Sequence, residues 1–146
     1  MAINSDVSSA SAVLSMSCSA LGIPPQTIQQ FETDKMWSFE PVQITESRMG
    51  ADGRLIYGVI FNEQKMTVTL QPNSDSIGFF RDIAQAMKHQ RIPFRLDGSL
   101  ILQSIDTIFT LTNGTLQTIP PGPTGQKTLQ ATDWIIVWES VDPQPL

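Results

Sequence analysis

The chain reads as a mainly β protein: an antiparallel β-barrel or sandwich with one principal flanking helix at about residues 75–89. Three observations carry this. Period-two alternation of apolar and polar residues recurs along the chain, as in Ala12, Leu14, Met16, Cys18 and Ala20. Helical spacing persists in one place only, where Ile77, Phe80, Ala84 and Met87 form a stripe. Turn residues punctuate the rest at short intervals, including Gly50-Ala51-Asp52-Gly53, Asn113-Gly114 and Pro120-Pro121-Gly122-Pro123.

Taken in order, residues 1–9 are small and polar and read as extended or flexible. Residues 11–20 read as a half-buried strand, which Gly22-Ile23-Pro24-Pro25 ends; a short helical or irregular link through Phe31 is expected to follow. Residues 36–47 read as a strand whose apolar parity changes between Trp37/Phe39 and Val42/Ile44, so a bulge is expected at Glu40-Pro41. After the Gly50–Gly53 turn, residues 55–61 are apolar at both parities and read as a central strand. A turn is expected over residues 62–65, then a half-buried strand with Met66, Val68 and Leu70 inward.

Pro72-Asn73-Ser74 stops that strand, and Asn73 or Ser74 suits the cap of the helix. Asp75 complements the positive end of the helix dipole, and Lys88, His89 and Arg91 gather at the negative end. Residues 100–103, 106–112 and 115–119 read as strands, the last two joined by a two-residue hairpin at Asn113-Gly114. A loop at Pro120–Gly125 leads to a final strand over residues 128–140 with Trp134, Ile136 and Trp138 on one face. Residues 141–146, with Pro143 and Pro145, read as extended or flexible. The 146 residues are expected to form a single domain, with a core large enough to need no staple.

Composition excludes several function classes. A net charge of −5 lacks the basic footprint of a phosphate-gripping DNA binder. One cysteine, Cys18, precludes an intrachain disulfide framework. The N-terminal stretch has neither the basic flank of a signal peptide nor the length of a membrane anchor, and synthesis in a cytoplasm is expected.

Candidate chemistry is sparse. The sole histidine, His89, reads as a helix-end residue, and Cys18 as a buried small hydrophobe on the apolar parity of its strand. One Cys and one His do not make a zinc site, Asn73-Ser74-Asp75 lacks the downstream acid of a calcium loop, and Gly50–Gly53 lacks the Gly-Lys-Ser/Thr ending of a phosphate loop. No catalytic residue, metal or cofactor is therefore assigned, and a non-enzymatic protein is expected.

The stretches Ser47-Arg48-Met49-Gly50-Ala51-Asp52-Gly53 and Met66-Thr67-Val68-Thr69-Leu70-Gln71-Pro72-Asn73-Ser74 resemble tail tube proteins of contractile-tailed bacteriophages. In that family an acidic-glycine turn in a β-hairpin is followed by a strand that feeds a helix through a polar cap. Type VI secretion and contractile bacteriocin tubes share the architecture. The resemblance implies a virion protein of the tail, made in the bacterial host. Its copies form hexameric rings stacked into a tube, beside tail sheath and baseplate proteins, and DNA passes transiently through the lumen during ejection. A tube initiator or terminator, or a baseplate–neck component of the same fold, is the first alternative. A small β-barrel binding a ligand on Trp134 and Trp138 is the second, and a hydrolase a distant third. Subunit contacts are expected at turns that join strands and carry both charges: Gly50, Asp52, Gly53 and Arg54, then Glu63 and Lys65, with Pro121 and Gly122 of the proline-rich loop as further candidates.

Overall fold

Where apolar residues alternate, the chain pairs into strands. The computed structural model describes residues 12–28, 31 and 36–146. Nine strands and one α-helix are formed by these residues: β1 (Val13–Cys18), β2 (Ile23–Thr27), β3 (Trp37–Phe39), β4 (Thr45–Met49), β5 (Leu55–Val59), β6 (Gln64–Leu70), α1 (Ser76–Gln90), β7 (Leu96–Leu102), β8 (Thr107–Thr118) and β9 (Thr132–Pro145). Seven strands make one antiparallel sheet in the order β2-β1-β7-β8-β9-β6-β3, and β4 and β5 make a separate two-stranded sheet.

The large sheet is organised around a long ribbon. β8 and β9 pair from Thr107↔Pro145 to Thr118↔Ile135. β7 accompanies β8 only as far as Gly114, and β6 accompanies β9 only from Thr132 to Trp138. One half of the ribbon thus continues into β7, β1 and β2, the other into β6 and β3. At the changeover the core-facing residues step from Leu111 to Gly114 and from Trp138 to Val141, three positions and not two. Each strand therefore exchanges the face it presents to the core. A bulge makes this possible: Thr112 and Asn113 lie opposite Asp97 alone, and Asn113 takes a φ of +50°. Its N–H donates to Asp97 Oδ1 (3.3 Å) and its Nδ2 to Glu139 Oε2 (2.8 Å). The outer strand β3 leans back over the ribbon, with the Phe39 and Phe109 rings 6.3 Å apart, so the sheet curls into a barrel-like sandwich.

The core fills the concave side. Leu14, Met16 and Cys18 of β1, Met66, Val68 and Leu70 of β6, and Trp134, Ile136 and Trp138 of β9 are buried at the expected parity. Helix α1 closes the core with Ile77, Phe79, Phe80 and Ile83, while Ala84 and Met87 are partly buried against it. Phe79 and Ile83 extend the stripe of Ile77, Phe80, Ala84 and Met87 and make the buried face wider than that spacing indicated. The cap is Ser74: its Oγ accepts the Ser76 N–H at 3.2 Å. Ser74→Ala is expected to cost about 1 kcal/mol of stability, measured by urea denaturation.

Six expectations are corrected. Residues 23–27 are neither helix nor irregular link but the edge strand β2, where Pro24 and Pro25 are tolerated because both lie in the irregularity between the pairs Met16↔Gln26 and Cys18↔Ile23. The strand expected over residues 36–47 breaks after Phe39, with no bulge, and the chain leaves the large sheet. Residues 55–61 are not central but exposed. The turn over residues 62–65 is shorter, since Gln64 and Lys65 already belong to β6. Asn113-Gly114 is the bulge inside β8, not a hairpin. The final strand also runs further, so that residues 141–145 pair with β8. The readings of residues 1–9, of Ser11 and of residues 29–30 and 32–35 lie outside the described residues.

Candidate interaction site

The β4–β5 hairpin stands apart from the core. Its register runs from Thr45↔Val59 to Met49↔Leu55, and every residue of both strands is exposed. At its tip, Gly53 at φ +82° lets the chain reverse; the Gly53 N–H donates to Gly50 O (3.0 Å) and the Gly50 N–H to Arg54 O (2.8 Å). Asp52 Oδ1 accepts the Arg54 N–H at 3.1 Å, and the Asp52–Arg54 ion pair at 3.8 Å is too exposed to add much. At its base, the Ile60 N–H donates to Ile44 O (3.0 Å), Asn62 Nδ2 to Gln43 O (3.0 Å), and the Glu40 N–H to Lys65 O (3.1 Å). These bonds hold the hairpin as an ordered projection.

Its two faces differ. Residues directly opposite share a face, so Met49, Leu55, Tyr57 and Val59 lie together, and Phe61 continues the row. Tyr57 is 72%, Val59 73% and Phe61 95% exposed, values that place a continuous apolar row in solvent. The other face carries Glu46, Arg48, Ile56 and Gly58. Nothing lies within 4 Å of a Cβ built on Gly58, so that face has an open notch between Glu46 and Ile56. Isolated exposed hydrophobes need no explanation, but a contiguous apolar row makes this face the candidate for an interaction site.

The structure divides the sequence-based candidates among three places. Gly50, Asp52, Gly53 and Arg54 form the hairpin tip; Glu63 and Lys65 flank its base, with Lys65 half-buried at the start of β6; Pro121 and Gly122 are exposed in the loop between β8 and β9. Tip and base are separated by five strand residues, about 17 Å at 3.4 Å each. These residues do not converge on one site. The apolar row between them was missed, because a strand apolar on both faces reads as a buried one. One signal was available: its partner strand reads Thr45-Glu46-Ser47-Arg48, too polar to flank a central strand.

Trp134 and Trp138 are buried in the core, so they offer no ligand platform. Cys18 is buried and His89 exposed in the last turn of α1. Among the described residues, no group of three or more His, Cys, Asp or Glu side chains is placed to hold a metal ion, and no helix is long and apolar enough to cross a membrane.

A family model described as tail fiber protein gp32 matches residues 5–142. No curated protein sequence matches the chain. Among solved structures, it is similar to a chain of the PVC sheath-tube complex of an extracellular contractile injection system in its extended state. That match has a TM-score of 0.62 and 10% identity, covering 97% of this chain and 93% of that one. A chain of the PVC sheath/tube terminator matches at 0.59 and 10% identity over 98% and 99%. A chain of the anti-feeding prophage tube terminating cap matches at 0.57 and 10% identity over 100% and 95%. At this identity the likeness is one of fold, and it runs end to end.

Proposed function

This chain belongs to the tail fiber protein gp32 family, and from that premise we propose that it is a structural subunit of a contractile tail whose copies close into rings and stack into a tube. The observation that carries the reading is the exposed hairpin. Two strands alone are marginal in water, and an apolar row held in solvent is stabilised when a neighbouring copy covers it. Head-to-tail contacts of this kind generate closed rings or open helical stacks. The likeness to a chain of a sheath-tube complex over almost the full length of both supports the same geometry. In this reading the turns at Gly50–Arg54, the base at Glu63 and Lys65, and Pro121 and Gly122 flank the contacts. Sheath and baseplate proteins are the further partners. The net charge of −5 on each copy repels DNA from the wall, so a genome slides through. The subunit performs no chemistry of its own.

A second reading is a terminator or cap, favoured by the matches to a terminator chain over 98% and a cap chain over 100% of this chain. Negative-stain microscopy of the purified protein, with and without a preformed baseplate seed, separates the two. Long hollow tubes are the expected result. Rings that never stack, even on a seed, would favour the terminator, and monomers under both conditions would overturn both readings.

A further inference from the structure

We propose that Pro143 and Pro145 close a free edge of the large sheet against strand addition by further copies of this chain. The edge lies on β9, away from the turns and the hairpin invoked above, and the inference holds for the isolated subunit whichever tail role it fills.

The edge arises from the offset of the ribbon. β6 accompanies β9 only as far as Trp138, so residues 139–145 pair with β8 on one side and, among the described residues, with no strand on the other. These seven residues leave about 24 Å of open backbone at 3.4 Å each. The outer strands β2 and β3 run for only five and three residues, and the stretch of β8 beyond Gly114 for four. A long uncovered edge is a template for pairing with another chain, so this is the stretch that most needs a guard.

One bond fixes which groups point outward. The Leu146 N–H donates to Asp106 O at 2.9 Å, so Asp106 and Leu146 face each other as a hydrogen-bonded pair. Such pairs alternate with non-bonded ones along an antiparallel ladder. Counting back through the register, Gln144 and Asp142 turn their N–H groups to Ile108 and Thr110 of β8. Val141, Pro143 and Pro145 turn their nitrogens and carbonyls to the open side. Proline thus stands at two of three outward positions and removes the donor from each. What remains is three carbonyls and the Val141 N–H, where an added strand needs donors and acceptors in alternation. Neither proline weakens the ladder to β8, because neither nitrogen faces it. The exposed Glu139 and Asp142 add negative charge against the approach of another acidic copy.

The test is residue-resolved hydrogen exchange of the unseeded full chain at low and high concentration, with sedimentation and thermal unfolding alongside. In the parent, the Val141 amide is expected to exchange freely at both concentrations. In the Pro143→Thr/Pro145→Thr double variant, the amides at 141, 143 and 145 should exchange freely when dilute. When concentrated they should slow by about tenfold or more, together with a rise in sedimenting mass over the parent. The thermal midpoint of the dilute double variant should match the parent. Gln144→Pro sets the same ring one position away, removes the bond to Ile108, and should lower the midpoint with no gain in association. A Val141 amide already slow in the parent would overturn the proposal, since the edge would be occupied. So would new amides in the double variant that exchange freely at every concentration, and so would a Gln144→Pro midpoint equal to that of the parent, since the outward parity would then be wrong.

Discussion

Phe80→Ala is expected to lower the unfolding free energy by roughly 3–5 kcal/mol, read by urea denaturation followed by circular dichroism. Phe80 is completely buried. Its ring stacks on Trp134 of β9 at a centroid distance of 5.5 Å and meets Phe79 edge-on at 5.2 Å. It is thus the point at which the one helix is joined to the ribbon that organises the sheet. Truncation removes aromatic contacts on two sides and opens a cavity that neither the ribbon nor the helix can collapse into, because both are fixed by backbone hydrogen bonding. A loss below about 1 kcal/mol would show that α1 is held by another face.

Gly114→Ala is expected to cost on the order of 3 kcal/mol, although it adds a single methyl group. A Cβ at Gly114 would meet Trp138 Cε3 at 2.3 Å, Cζ3 at 2.6 Å and Cδ2 at 2.8 Å. The indole is buried on every side and has no room to retreat. Gly53→Ala is the control. It has open space around the new methyl and a φ of +82°, so only backbone strain of about 1 kcal/mol is expected there. Thermal denaturation of the two variants compares the terms directly. Equal losses would mean that the close approach of Trp138 is not what requires glycine in β8.

Much of the fold was legible because side-chain period is a local property. The inward sets of β1, β6 and β9 follow from strict alternation, and α1 from helical spacing with Ser74 before it and Lys88 and His89 at its end. The turn at the hairpin tip was legible for the same reason, since Gly53 and Asp52 are the residues such a turn uses. The apolar row beside it was visible as apolar, but its place was not. Leu55, Tyr57 and Val59 would read the same in the middle of a sheet.

Asn113-Gly114 shows where local reading ends. The pair suits a two-residue hairpin, and in isolation that is its best use. Here Trp138 lies on Gly114, and Asp97 and Glu139 hold Asn113, so the same two residues bend a continuous strand instead of reversing it. By itself, then, the sequence determined that this protein is β-rich, which residues turn inward on β1, β6 and β9, and where its helix begins. Only the tertiary structure decided which strands neighbour one another, that β8 and β9 exchange faces at a bulge, and that one apolar hairpin is left outside the core. The reason is that period-two alternation states which side chains share a face, whereas what lies across from that face depends on pairings between residues far apart in the chain.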